Sequence, residues 1–126
     1  MISESKSVKI VVKTQYLPEQ SNPGESRFAF AYTINIANEG EEAVRLLTRH
    51  WIITDGDNKV QEVHGDGVIG KQPLIEPGKA FNYTSGAVIN TPVGTMEGSY
   101  EMITASGRPF IAPIKVFSLA QPSALH

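Results

Sequence analysis

The chain has 126 residues, a formal net charge of −2 and no Cys. This length predicts one domain over residues 1–126, with a core at about 8–119 and a frayed tail at 120–126. The absence of Cys excludes disulfides, iron–sulfur clusters and thiol nucleophiles, and it fits a reducing, cytoplasmic location. The charge balance gives no basic excess for binding nucleic acid, and no apolar run is long enough to span a bilayer.

Short strands separated by turn residues are predicted along the whole chain. An alternating segment that begins at Val8 predicts an amino-terminal strand ending near Pro18. The clearest strand is residues 27–37, because every second residue there is large and apolar. Its predicted core face is Phe28, Phe30, Tyr32, Ile34 and Ile36.

The segment 43–55 combines features of a helix and of a strand. Leu47 and Trp51 are four residues apart and would share one face of a helix. The β-branched residues 52–54 and the turn sequence at 55–58 favour a strand. We therefore predict a strand here, followed by a second short strand over 59–64 that makes a hairpin with it.

The rest of the chain completes an all-β pattern. Residues 65–78 contain Gly and Pro and are predicted to be a loop. A strand with Phe81 and Tyr83 follows, another begins near Thr95, and Pro109 and Pro113 mark the last strand as an edge. Seven or eight short strands predict an antiparallel β-sandwich of the immunoglobulin or fibronectin type III kind.

The most conspicuous motif is Gly65-Asp66-Gly67-Val68-Ile69-Gly70, a G-x-G-x-x-G sequence. In dinucleotide-binding folds such glycines let the backbone approach a pyrophosphate at the start of a helix. Pro73 and Pro77 prevent a useful helix here, so we expect a sandwich loop that needs positive φ. The alternative is an anion-binding nest of backbone amides. Its residues would be Gly65, Gly67, Gly70 and Lys71.

His50 and His64 are the internal histidines, and the predicted hairpin would let them face each other. Two imidazoles and at most one of the neighbouring aspartates fall short of a closed metal site. We therefore predict hydrogen-bonded structural histidines and no metal or cofactor site.

The sequence Arg49-His50-Trp51 combines residue types that suit an interaction surface. Trp51 equally suits the buried central tryptophan of a sandwich, and we favour burial for it. No nucleophile elbow, catalytic triad pattern or P-loop is present, so no catalytic residues are predicted.

Five blocks of the sequence are distinctive: RFAFAYTI (27–34), LLTRHWIITD (46–55), GDGVIGKQP (65–73), YTSG (83–86) and MEGSY (96–100). In this order they resemble the blocks of the bacterial ApaG proteins. The similarity runs from about Val8 to Leu119 and is far more specific than the glycine motif alone.

The resemblance implies a fibronectin type III-like sandwich without an established enzymatic activity. It also implies an association with cobalt tolerance and magnesium transport, and an interaction role like that of similar domains in eukaryotic F-box and DNA polymerase delta-interacting proteins. The family's glycine motif, which falls on Gly65, Gly67 and Gly70, has been compared with pyrophosphate loops.

These observations predict a non-enzymatic binding module. Our first hypothesis is a protein-interaction module of unknown partner, which could also form a homodimer through a sheet edge. The second is a small-ligand module that binds a phosphorylated nucleotide or a divalent metal through residues 65–71. Neither hypothesis involves a membrane or nucleic acid.

Overall fold

The computed structural model describes residues 7–122, which form eight strands and two short 3-10 turns. The strands are β1 (Val8–Tyr16), β2 (Phe28–Asn38), β3 (Val44–Asp55), β4 (Val60–Asp66), β5 (Leu74–Ile75), β6 (Ala80–Ile89), β7 (Val93–Thr104) and β8 (Pro109–Ala120). The turns, Pro18–Gln20 and Pro23–Glu25, connect β1 to β2. Among these residues no helix has the length and apolar character needed to cross a membrane.

The strands make two antiparallel sheets that pack face to face. The smaller sheet has the order β1-β2-β6, and the larger has the order β4-β3-β7-β8, with β5 paired to the start of β3. Buried side chains of both sheets form one hydrophobic core between them. The predicted β-sandwich is confirmed.

The core face of the smaller sheet follows the alternation of β2. All five residues predicted for this face are buried, and Ile34 and Ile36 are completely inaccessible. Across the core, β7 contributes side chains such as Tyr100 and Met102, which are also inaccessible. The period-two pattern of β2 therefore sets how the smaller sheet is oriented against the larger one.

A β-bulge in β3 changes which of its residues face the core. The pairing with β7 shifts between Leu46 and Thr48. Even-numbered residues such as Leu46 are buried before the shift, whereas odd-numbered residues such as Trp51 and Ile53 are buried after it. The extra residue in the bulge is why this segment showed no clean strand period.

Two sequence-based boundaries are wrong. Residues 65–78 are not one loop, because β4 extends through Gly65 and Asp66 and because β5 lies within this stretch. The predicted tail does not begin at residue 120, since Ala120 pairs with Val93 and the Gln121 amide donates to the Pro92 carbonyl at 2.9 Å. The end of that tail, residues 123–126, lies outside the described residues.

The last strand is an edge, as Pro109 and Pro113 predicted. β8 pairs with β7 on one side only, and both prolines lie within it. β4 forms the opposite edge of the larger sheet. The glycine motif therefore leaves the sheet at the end of an edge strand, with Gly67 and Val68 buried and Ile69 and Gly70 exposed.

Candidate functional site

The glycine motif forms a tight hairpin over residues 65–71, which we call the glycine hairpin. Val68 and Lys71 exchange two backbone hydrogen bonds, at 2.8 and 2.9 Å. The two residues between them, Ile69 and Gly70, have positive φ values of 45° and 77°. Positive φ at both central positions is the requirement of a type I′ turn, which normally takes Asn and Gly. The expected need for positive φ in this motif is confirmed.

Side chains hold the glycine hairpin against β3. The Arg49 guanidinium donates to the carbonyls of Asp66 and Gly67, at 3.1 and 2.9 Å. The Leu47 carbonyl accepts from the Gly67 amide at 2.8 Å and from the Gln72 side-chain amide at 3.0 Å. The hairpin is thus fixed at several points, and its carbonyls are turned toward Arg49.

This geometry gives little support to a phosphate-binding loop. The amides of Gly67, Val68 and Lys71 each donate to a backbone carbonyl. An anion-binding nest needs several amides that are free to converge on the ligand. Phosphate binding through Gly65, Gly67, Gly70 and Lys71 stays a prediction, with three of the loop's amides already engaged.

The three residues Arg49, His50 and Trp51 do not share a surface. Trp51 is 2% exposed and packs edge-on against Tyr32, with ring centroids 5.4 Å apart. Its indole nitrogen has no hydrogen-bond partner among the residues that the structure describes. Trp51 is therefore a core residue, as we favoured, and the alternative that placed it on an interaction surface is wrong because β3 directs it inward.

His50 faces the opposite way and meets β4 across the strand pair. It lies opposite His64, and the two rings stack with centroids 4.1 Å apart and planes 7° apart. Glu62 lies beside both, with one carboxylate oxygen 3.1 Å from His50 Nε2 and 3.5 Å from His64 Nε2. We call these three residues the His-Glu-His cluster. The predicted facing of the two histidines is confirmed.

Hydrogen bonding within the His-Glu-His cluster changes the acidity of Glu62. The bonds from His50 and His64 hold the pKa of the Glu62 carboxyl below its usual range. Each bond favours the ionised carboxylate over the neutral acid. At neutral pH Glu62 is therefore a carboxylate facing two imidazole nitrogens.

Sequence reasoning missed Glu62 and considered nearby aspartates instead. Asp55 faces the core, where its carboxylate caps the β3–β4 turn by accepting from the amides of Asp57 and Lys59. A signal for Glu62 was present, because Glu62 and His64 are two residues apart and so lie on one face of a strand. The register between β3 and β4 places Glu62 beside His50, and the sequence alone does not specify that register.

A pair of tyrosines links the two sheets inside the core. The hydroxyl of Tyr83, on β6, hydrogen-bonds to the hydroxyl of Tyr100, on β7. Burial raises the pKa of both phenols well above the usual range. Both side chains are therefore neutral over the physiological pH range and act as structural residues.

Comparison with known proteins decides the family. The family model described as the ApaG domain matches residues 18–104. Protein ApaG of Pseudomonas paraeruginosa is 59% identical over 119 residues, which make up 94% of each chain. The chain belongs to the ApaG family. The family predicted from the five sequence blocks is confirmed, and the matched region contains both the glycine hairpin and the His-Glu-His cluster.

Two crystal structures, each 49% identical in sequence, share the fold. One is a Northeast Structural Genomics Consortium target with a TM-score of 0.93, and the match covers 98% of this chain and 94% of that chain. The other is named for the ApaA protein of Bordetella pertussis, with a TM-score of 0.90 and coverage of 91% and 94%. The likeness to ApaG relatives therefore extends over nearly the whole sandwich.

Proposed function

We propose that this ApaG-family protein is a non-enzymatic, cytoplasmic binding module that contacts a protein partner through the tip of the glycine hairpin. The observation that carries the proposal is the conformation of Ile69. Its side chain is 53% exposed while its φ is 45°. A β-branched residue in this region is strained by about 1–3 kcal/mol, and an exposed side chain recovers little of that through packing. Backbone strain at an exposed apolar residue supports a role for Ile69 in binding a partner.

The surroundings of Ile69 support the same role. The hairpin behind it is fixed by Arg49, by Gln72 and by its own backbone hydrogen bonds. A rigid loop loses little conformational entropy when a partner binds, so more of the contact energy appears as affinity. The side-chain N–H groups of Arg49 and Gln72 donate to backbone carbonyls. This supports a role for both residues in positioning the hairpin rather than in proton transfer.

Capture with a matched pair of variants tests the proposal. The wild-type protein, Ile69→Asn and Ile111→Asn are each immobilised and exposed to native lysate, and retained proteins are identified. Ile111 is the control because it is also an exposed isoleucine, at 54%, but lies in extended β8. A protein retained by wild type and Ile111→Asn is then purified and titrated calorimetrically. We expect Ile69→Asn to weaken its binding at least about tenfold.

Stability provides the second readout. Asn tolerates the left-handed conformation, so Ile69→Asn should raise the free energy of unfolding by about 1 kcal/mol, whereas Ile111→Asn should not. Improved stability with weakened binding is the signature of a strained recognition residue. Equal binding by wild type and Ile69→Asn, or capture of no specific protein by wild type, contradicts the proposal.

A further inference from the structure

We propose that the His-Glu-His cluster is a binding site for a divalent transition-metal ion of the zinc class, on the outer face of the larger sheet. His50, Glu62 and His64 each offer one ligand atom, and these three atoms lie within 4.8 Å of one another. The site is separate from the tip of the glycine hairpin and does not depend on the protein-binding role proposed above.

The strand register explains why the two imidazoles are close. The Gly67 amide donates to the Leu47 carbonyl, and the Asp55 amide donates to the Lys59 carbonyl. These bonds show that odd-numbered residues of β3 form the hydrogen-bonded pairs with β4. His50 and His64 therefore occupy a non-hydrogen-bonded pair, in which facing side chains come closest. The backbone itself brings two nitrogen ligands together.

The spacing of the ligand atoms already approaches that of a metal site. A tetrahedral ion with bonds of about 2.1 Å holds its ligand atoms about 3.4 Å apart. The Glu62 oxygen lies 3.1 Å from the His50 nitrogen and 3.5 Å from the His64 nitrogen. Small side-chain rotations would admit an ion in place of the hydrogen bonds. The Glu62 and His64 side chains are 56% and 68% exposed, so they can make these rotations.

The donor set selects the class of metal. Two imidazoles and one carboxylate suit zinc and its neighbours in the transition series, whereas magnesium and calcium prefer oxygen ligands throughout. Three protein ligands leave a further position for water or for a group from a partner. β7 places a further exposed carboxylate, Glu101, opposite Thr48, and its charge favours a cation.

Calorimetric titration with zinc chloride at neutral pH tests the site. We expect one zinc ion to bind per chain, and magnesium to bind far more weakly. His64→Ala and Glu62→Gln should each weaken zinc binding at least about tenfold, since each removes a ligand. The control is Glu97→Gln, which makes the same charge change on the same face but outside the cluster. The zinc affinity of Glu97→Gln should stay within about twofold of the wild-type value.

Ring resonances in NMR spectra of the wild-type protein give a test that needs no variant. Zinc should shift the ring signals of both His50 and His64 and leave those of His126, the third histidine of the sequence, unshifted at one equivalent. Shifts confined to His126 overturn the proposal. So does zinc binding that is as weak as magnesium binding, or that falls equally in Glu62→Gln and Glu97→Gln.

Discussion

Gly67 and Gly70 both have positive φ, 64° and 77°, but their surroundings differ. A Cβ atom on Gly67 would lie 2.2 Å from the carbonyl oxygen of Lys71. A Cβ atom on Gly70 would meet no heavy atom of the described residues within 4 Å. Alanine at position 67 thus combines backbone strain from its positive φ with steric overlap between its Cβ atom and the Lys71 carbonyl. Alanine at position 70 introduces the backbone strain without any overlap.

Urea unfolding of the two alanine variants should separate these contributions. We expect Gly70→Ala to lower the free energy of unfolding by about 1 kcal/mol, from the unfavourable φ. Gly67→Ala should lower it by about 3 kcal/mol or more, because the Lys71 carbonyl cannot move without breaking the hairpin. Equal losses in the two variants would show that the close contact at Gly67 relaxes freely.

This difference decides which substitutions can probe function in the glycine hairpin. A loss of binding in Gly67→Ala would reflect a distorted hairpin as much as a lost contact. Ile69 is the better position, because its substitution relieves strain. Trp51→Ala is unsuitable for the same reason as Gly67→Ala, since Trp51 belongs to the core.

At the scale of the elements, Arg49 and Gly65 together attach the glycine hairpin to β3. The two residues pair across the strands, and a Cβ atom on Gly65 would lie 2.7 Å from three atoms of the Arg49 guanidinium. Glycine at position 65 therefore leaves room for the arginine side chain that binds the Asp66 and Gly67 carbonyls. Alanine there would push the guanidinium away from both acceptors.

A double-mutant cycle measures this coupling. Arg49→Ala and Gly65→Ala should each destabilise the protein by about 1–2 kcal/mol, because each removes the same two hydrogen bonds. The double variant should be destabilised by about 1 kcal/mol less than the sum of the two single variants. Arg49→Ala combined with Gly70→Ala is the control and should be additive, since a Cβ atom on Gly70 would lie within 4 Å of no heavy atom of the described residues, Arg49 included. Full additivity of the first pair would contradict the proposed role of Gly65.

How far each element could be predicted depended on whether its alternation is interrupted. In β2 the period-two pattern is unbroken, and every predicted core residue is buried. In β3 the bulge between Leu46 and Thr48 reverses the inward side, so no single alternation accounts for the burial of both Leu46 and Trp51, although burial was favoured for Trp51. The approach of Glu62 to His50 depends on the register between two strands, which no local pattern specifies.

At the scale of the whole molecule, the hydroxyl pair of Tyr83 and Tyr100 joins the two sheets through the core. Burial raises both phenol pKa values above those of the unfolded chain, which are about 10. Folding therefore favours the protonated phenols. This contribution to stability is fully present below the unfolded pKa and is lost as pH rises above it.

Urea unfolding across a pH series should reveal that loss. We expect the wild-type protein to lose stability steeply above about pH 10, and the Tyr83→Phe/Tyr100→Phe double variant to lose less over the same range. Tyr100→Phe alone should be less stable at neutral pH than the double variant, because it leaves the buried Tyr83 hydroxyl unpaired. Identical alkaline profiles for wild type and double variant would exclude the pair as the cause.

The prolines of β8 make the two edges of the larger sheet unequal. The Thr104 amide donates to the Arg108 carbonyl at 3.0 Å, so up to the register shift between Met96 and Gly98 the even-numbered residues of β8 bond to β7. In this first half of β8 the amide positions at 109, 111 and 113 point outward. Proline occupies two of these three positions and has no N–H to offer. An added strand could not form a continuous ladder along this first half of β8, which hinders edge-to-edge aggregation there. β4 contains no proline, so a partner strand could extend the larger sheet there without this interruption, alongside the His-Glu-His cluster.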